Sequence, residues 1–287
     1  MPRLAYVNGR FVRQADACVS IEDRGFQLSD GIYEVWAVFG GQLVDSEGHF
    51  ARLARSLNEL RIAMPMSRAA LTVVLRETVR RNCIVEGTVY LQVTRGAAPR
   101  DHAFPDPAPA PTLVITAKRG DPQAAERRAA AGVSVITLPD IRWGRCDIKT
   151  VGLLPNVLAK QAAREQGAFE AWLVDAEGRV TEGASSNAWI LDKDGVLRTR
   201  ELEANILRGV TRTALLAIAA EIGVPVQQHP FTVAEAKAAK EAFVTGAGAL
   251  VMPVVRIDDT VIGDGRPGPL AVRLRALYIQ KGRKSAI

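Results

Sequence analysis

The chain has 287 residues and a mass of 30.9 kDa, room for one large domain or two smaller ones. A hydrophobic fraction of 48% and a mean hydropathy of +0.04 support a packed core and exclude global disorder. The net charge of +6 favours anions, but the basic residues are spread along the chain without a basic run, which argues against nucleic acid and for small carboxylates and phosphates.

From the N-terminus, residues 4–12 read as a hairpin around Asn8-Gly9. Residues 32–39 read as a strand closed by Gly40-Gly41. Residues 49–63 predict a helix, because Phe50, Leu53, Leu57 and Leu60 recur at spacings of three and four. Arg52 lies just off that stripe. A second helix is expected from Ser67, a good N-cap, to Asn82. Residues 88–95 alternate, with Val89, Leu91 and Val93 on one face of a strand. Residues 103–111 are too proline-rich for a regular element and form a loop. A strand at 112–117 and a Gly-Asp-Pro segment follow. In the second half, strands are expected at 133–138, 171–175, 188–191, 196–199 and 242–245. Helices are expected at 156–166, 211–222 and 233–240. The pattern predicts an α+β, mixed-sheet protein of two domains. The boundaries expected are 1–117, a linker at 118–124, and 125–287 carrying Lys149, with an active site between the domains.

No apolar run reaches the roughly 18–20 residues of a membrane helix. The first residues carry no apolar signal region, so a cytoplasmic location is expected. Cys18, Cys83 and Cys146 are odd in number and lack a C-x-x-C spacing, which excludes a disulfide framework and a structural zinc site. His49, His102 and His229 do not cluster. His49 reads as an ordinary residue at a helix start and His229 as a turn residue before Pro230.

The chemistry centres on Lys149, after residues 140–148, and on Glu182, in a Gly/Ser turn at 181–187 (TEGASSN). A lysine after a strand-like apolar stretch, with a downstream acid, is the pair that a pyridoxal phosphate (PLP) enzyme needs. The lysine forms the Schiff base, and the acid keeps a proton on the pyridine nitrogen so that the ring accepts electrons. Val210 and Thr211 open a helix, where free N–H groups and the Thr211 hydroxyl make an anion site, although Thr211 could equally be a plain N-cap. Tyr33 and Val35 are two apart on a strand and point the same way. Arg100 and His102 are two apart in an extended loop and can aim at one anion, the guanidinium offering a planar fork to a carboxylate. Ser185 and Ser186 do not form G-x-S-x-G, which rejects a hydrolase elbow.

Seven segments in order then carry a resemblance: residues 22–35 (EDRGFQLSDGIYEV), 92–96 (QVTRG), 100–105 (RDHAFP), 140–149 (DIRWGRCDIK), 158–161 (LAKQ), 181–187 and 206–212 (ILRGVTR). Together they resemble the class IV aminotransferases, PLP enzymes of fold type IV, and within them the D-amino-acid transaminase branch. The resemblance implies Lys149 as the Schiff-base residue and Glu182 at the pyridine nitrogen. It places Arg52, Leu207, Gly209, Val210 and Thr211 around the cofactor, with Ser185 and Ser186 as outer polar contacts. It implies that Tyr33, Arg100 and His102, beside Val35, hold the substrate carboxylate. It also implies a homodimer in which the Arg100/His102 loop reaches the neighbouring site. Trp143 and Cys146 are expected to pack along the lysine strand. The chain departs from the pattern at residues 245–249 (TGAGA), where the family carries hydroxyls. Gly246 and Ala247 are therefore expected to form a backbone-only phosphate turn. Other class IV enzymes remain open at this stage: a branched-chain L-amino-acid or (R)-amine transaminase, or an aminodeoxychorismate lyase. A non-catalytic basic binding module is the reading from another class.

Overall fold

The computed structural model describes residues 3–203 and 205–287. These form two compact units. The first comprises Met1–Asp121, Ile148–Gly152 and Ser285–Ile287; the second comprises Pro122–Asp147 and Leu153–Lys284.

In the first unit, β1 (Leu4–Val7) and β2 (Arg10–Arg13) pair through a turn in which Asn8 and Gly9 have φ of 45° and 95°. The chain continues through α1 (Arg24–Leu28), β3 (Gly31–Phe39), β4 (Gln42–Leu43), α2 (Ser46–Glu59), α3 (Arg68–Arg81), β5 (Gly87–Thr94) and β6 (Thr112–Arg119). The strands form one antiparallel sheet in the order β2-β1-β6-β5-β3-β4. Strand alternation divides its faces. Ile32, Trp36, Val38, Val89, Leu91 and Val93 point into a core closed by Leu53 and Leu57 of α2 and Leu71 and Leu75 of α3. Tyr33, Val35, Tyr90 and Gln92 occupy the other face and are half-buried. α3 starts where expected, with the Ser67 hydroxyl accepting from Ala70 N at 3.3 Å. α2 lies about a turn earlier than expected. The apolar stripe marks which side is buried, but the start is set by Asp45 in the left-handed region (φ 53°), and Arg61 (φ 52°) follows its end.

The second unit contains α4 (Pro122–Ala131), β7 (Val133–Pro139), α5 (Leu154–Glu165), β8 (Glu170–Val174), β9 (Val180–Gly183), β10 (Asn187–Leu191), β11 (Leu197–Thr199), α6 (Val210–Glu221), β12 (Val226–Gln228), α7 (Val233–Lys237), β13 (Glu241–Gly246), β14 (Leu250–Ile257), β15 (Thr260–Val261) and α8 (Pro269–Ser285). Its mixed sheet runs β12-β11-β10-β13-β14-β7-β8-β9, with β15 on β14. Trp189 and Phe243, opposite one another on β10 and β13, enter a core with Leu215 of α6 and Leu274 of α8. Their neighbours Ala188, Ile190, Ala242 and Val244 enter another, with Phe231 and Ala236.

Three segments differ from expectation. β6 runs on to Arg119 and α4 opens at Pro122, leaving only Gly120 and Asp121 of the expected linker. Proline suits both a linker and the first turn of a helix, so composition did not separate them. Glu182, expected in a turn, lies in β9, and the turn begins after Gly183. The segment before Lys149 is not a strand. After β7 it is irregular, and the lysine pairs instead with β3: Tyr33 N donates to Lys149 O at 3.0 Å and Val151 N to Gly31 O at 3.1 Å. Ile148–Gly152 thereby belongs to the first unit.

Glu34 shares the core-facing side of β3 with Ile32 and Trp36 and is fully buried. Its carboxylate receives Arg52 Nε at 2.7 Å and Nη2 at 2.8 Å, and His49 Nδ1 lies 2.8 Å away. Burial pushes the carboxyl up, but Arg52 and His49 outweigh it and hold Glu34 at about 2 against an ordinary 4.5. Burial, opposed by Glu34, leaves His49 below its ordinary 6.5. In both cases the unfolded chain takes up protons that the folded chain refuses. Stability is therefore complete above the ordinary His49 value and declines as pH falls, first through His49 and then through Glu34 between its ordinary 4.5 and about 2. In urea unfolding, the Glu34 step is expected to remove on the order of 3 kcal/mol. Glu34→Gln is expected to be less stable at neutral pH, by roughly 3–5 kcal/mol, and to lack that acid step.

Candidate active site

Lys149 is fixed at its backbone. Its carbonyl accepts from Tyr33 N, as above, and its N–H donates to Ser56 Oγ of α2 at 3.3 Å. The side chain is half-buried and sets Nζ 4.0 Å from the centroid of the Tyr33 ring. Tyr33 stacks on Tyr90, with centroids 5.6 Å apart, and Tyr90 OH donates to Gln92 Oε1 at 2.6 Å. Burial pushes the Tyr90 phenol up to about 12, so it remains protonated. Lys149, Tyr33 and Val35 thus share the half-open face of the first sheet. Arg100 and His102 lie in the loop at 97–111, both exposed, and neither side chain makes a hydrogen bond among the described residues. Arg52 has two of its guanidinium N–H groups on Glu34. His49, read from the sequence as an ordinary helix-start residue, is buried in the same cluster, at 3% exposure.

In the second unit, Glu182 is buried and four donors converge on it. Arg142 Nη1 binds Oε1, Asn187 Nδ2 binds Oε2 at 3.0 Å, and Leu207 N lies 3.2 Å from both oxygens. Burial pushes the Glu182 carboxyl up, and Arg142 is the main force opposing that. Arg142 itself is held firmly charged: burial works against it, but Asp140 and Glu182 raise it above the ordinary guanidinium value. Asp140 receives Arg142 Nε at 2.9 Å and Nη2 at 2.7 Å, and the Thr181 hydroxyl at 2.8 Å. Arg142 Nη2 also reaches the carbonyl of Asn205 at 3.1 Å. Sequence reasoning quoted Asp140 and Arg142 only as part of a motif and gave Asn187 no role. The spacing of an acid and a base two apart, Asp140 and Arg142, was the available signal.

Ser185 and Ser186 are committed to Glu170: their hydroxyls lie 2.7 and 3.0 Å from its Oε2. Gly209 is the N-cap of α6 and supplies no side chain to it. A Cβ there would sit 2.0 Å from Asn187 Oδ1, so only glycine fits beside the Glu182 clamp. This replaces the reading of Thr211 as N-cap. Thr211 is one residue inside the helix, buried, with its hydroxyl 3.5 Å from Tyr278 OH. The first amides of α6, at Val210 and Thr211, are left without a side-chain cap. Gly246 ends β13, and residues 247–249 form the tip of a hairpin to β14. A Cβ on Gly246 would lie 3.3 Å from Ser185 O, so the tip runs close to the serine turn. Trp143 is 47% exposed. Cys146 is buried, donating to Trp143 O at 3.1 Å, and lines an irregular segment in place of the expected strand.

The family described as amino-transferase class IV matches residues 31–257. The D-alanine aminotransferase of Listeria monocytogenes serotype 4b (strain F2365) is 40% identical over 276 residues, 96% of this chain and 94% of that protein. The chain belongs to the class IV aminotransferases. A D-alanine aminotransferase of Bacillus licheniformis is 43% identical over 263 residues, covering 92% of this chain and 91% of that one. Among solved class IV structures, the T.th. branched-chain amino acid aminotransferase with pyridoxamine 5'-phosphate superposes with a TM-score of 0.88 at 29% identity, covering 98% of this chain and 94% of that chain. The Escherichia coli branched-chain enzyme reaches a TM-score of 0.89 at 22% identity, covering 98% of this chain and 95% of that one, a likeness of fold alone.

Removing the cation from the Glu182 clamp leaves two carboxylates, Glu182 and Asp140, without it. Arg142→Met is expected to lose about 3–5 kcal/mol in urea unfolding at neutral pH. Asp140→Asn, which keeps the Arg142–Glu182 pair, is expected to lose less.

Proposed function

We infer that this aminotransferase is a PLP-dependent D-amino-acid transaminase. It moves the amino group between a D-amino acid of the D-alanine or D-glutamate class and a 2-oxo acid such as 2-oxoglutarate or pyruvate. The observation that carries this reading is the 39–43% identity to D-alanine aminotransferases over nearly the whole chain.

The residues fit the cofactor. A half-buried lysine amine lies over an aromatic ring, a buried carboxylate is surrounded by donors, and a helix start has no side-chain cap. When bound, PLP supplies an electron sink conjugated to the substrate α-carbon. Lys149 anchors the cofactor through Nζ and then, as a free amine, takes the proton from the α-carbon of the D-amino acid. In the return direction it delivers a proton to the carbon of the 2-oxo acid. The Glu182 carboxylate holds a proton at the ring nitrogen, with Leu207 and Asn187 fixing its two oxygens. The amides of Val210 and Thr211, Gly209 as the open entry to that helix, the guanidinium of Arg52 and the backbone of Gly246 and Ala247 bind the phosphate. Ser185 and Ser186 act at one remove, through Glu170. Tyr33, Arg100 and His102 bind the substrate α-carboxylate beside Val35. With the carboxylate fixed, a lysine confined to one side meets the α-hydrogen of one enantiomer only.

In this reading the Arg100/His102 loop completes the site of a second copy, making a cytoplasmic homodimer. The exposed apolar side chains Leu154, Val157 and Leu158 on α5 offer surface for such a contact. A branched-chain L-amino-acid transaminase is the second reading, favoured by the likeness to the T.th. enzyme.

The deciding test is the visible absorbance band of the PLP-reconstituted protein before and after D-alanine, L-alanine or L-leucine. Loss of the band with D-alanine alone is expected, and Lys149→Ala should give neither the band nor turnover. A response confined to the L-amino acids would replace this function with the second reading. For the hairpin tip, a hydroxyl should add a phosphate contact. Ala247→Thr is expected to lower the Kd for PLP several-fold, as one neutral hydrogen bond contributes about 0.5–1.5 kcal/mol, measured by titration of the apoenzyme.

A further inference from the structure

Beneath the loop that carries Arg100 and His102 lies a buried charge cluster that the reading above does not use. Asp30, between α1 and β3, accepts Arg24 Nε at 2.8 Å, Arg95 Nε at 2.7 Å and Arg95 Nη2 at 3.0 Å. The three side chains are 10%, 3% and 6% exposed, so two guanidinium groups share a single carboxylate out of water. The surplus positive charge is met by carbonyl oxygens. Arg24 Nη1 donates to Asp101 O at 2.6 Å, and Arg24 Nη2 lies 3.5 Å from His102 O. Arg95 donates to Leu60 O at 2.7 Å and to Arg61 O at 3.2 Å. The Arg95 guanidinium also stacks on Phe104, 3.6 Å from the ring centroid.

These contacts suit the chemistry of the loop. Pro99, Pro105, Pro107, Pro109 and Pro111 remove backbone donors but leave carbonyl acceptors, and a guanidinium is a donor without an acceptor. The stem of the loop is closed by Gly96, whose φ is 102° and whose Cβ, if present, would lie 2.1 Å from Ala110 O. Arg24 N adds a bond to Gly96 O at 2.9 Å.

We propose that Asp30 is a positioning residue for substrate binding: by holding Arg24 and Arg95 together it fixes the backbone at Asp101 and His102 and the ring of Phe104, and so sets the directions of Arg100 and His102. The proposal rests on the carboxylate-binding reading of those two residues. Asp30 suits the task because, although burial pushes its carboxyl up, Arg95 and Arg24 bring it below the ordinary range, so it stays charged. Without that charge the two guanidinium groups repel and the carbonyl contacts loosen.

The test uses the PLP-loaded enzyme and three variants: Asp30→Asn, Phe104→Ala and Arg100→Ala. Amide hydrogen exchange across residues 97–104 reads the loop directly, and steady-state kinetics read its consequence. Asp30→Asn is expected to raise exchange in the loop about tenfold or more and to raise KM for D-alanine and 2-oxoglutarate about tenfold. Its kcat is expected to stay within about threefold, as for loss of binding common to ground and transition states. The visible band should not change. Phe104→Ala, at a half-exposed site that does not touch the charge balance, should move exchange and KM in the same direction by less, and it decides the matter if Asp30→Asn does not fold. Wild-type exchange in both variants overturns the proposal. So does raised exchange with unchanged KM while Arg100→Ala raises KM. If Arg100→Ala itself leaves KM unchanged, the carboxylate-binding reading fails and the proposal falls with it, whatever the loop does.

Discussion

Glu182 is a carboxylate taken out of water, and the guanidinium of Arg142 is what makes that tolerable. Much of the local architecture of the second unit follows from that pair. Arg142 is held by Asp140, and Asp140 by Thr181, so the acid on β9 is tied to the segment after β7. The same guanidinium binds the carbonyl of Asn205, while Glu182 binds the amide of Leu207 and Asn187 the carbonyl of Leu207. The chain from 205 to 209 is thereby fixed just before α6 begins, and Gly209 is required because Asn187 already occupies the space of a Cβ. One cluster therefore sets both a buried acid and the helix start whose amides face outward. An acid and an anion site built separately would each need their own support; here one ion pair serves both.

The first unit uses the same physics with different stoichiometry. Glu34 is matched by one guanidinium and one imidazole, so its charge is satisfied within the cluster and the result is a rigid tie between β3 and α2. Asp30 is matched by two guanidinium groups, and the excess is settled on carbonyls of neighbouring loops. A balanced cluster stiffens a core; an unbalanced one reaches outward and grips whatever acceptors are near. Strand alternation then separates the two tasks of β3. Glu34 goes inward to the helix, while Tyr33 and Val35 turn outward to the face where Lys149 rests on the Tyr33 ring.

Periodicity found the elements whose burial is regular. The stripe of α3, the alternation of β5 and the Asn-Gly hairpin were legible because each is a local pattern with a local cause. The start of α2 was not, since a stripe gives a face and not an end. α4 was hidden because Gly-Asp-Pro suits a linker and a helix start equally well. The motifs named the segments around Lys149, Glu182 and Gly209 but not what holds them. Arg142 and Glu182 are 40 residues apart, Arg24 and Asp101 77. Pairings at such separations leave no period in the sequence. Placing Lys149 with the first unit likewise depended on backbone bonds to β3, which composition does not encode.

Fold similarity cannot by itself choose the handedness of the substrate, since a branched-chain enzyme superposes on this chain with a TM-score of 0.88. That choice belongs to a few groups on one loop. Loops carry such groups because they are free to vary, but a free loop orders only at an entropic cost when ligand arrives. In this chain Arg100 and His102 have exposed side chains on a backbone already held at Asp101 and His102. Much of the ordering is thus done before binding. The prolines restrict the loop further, by limiting the conformations it could adopt when loose. Specificity in such a design depends as much on the buried carboxylate beneath the loop as on the exposed residues above it.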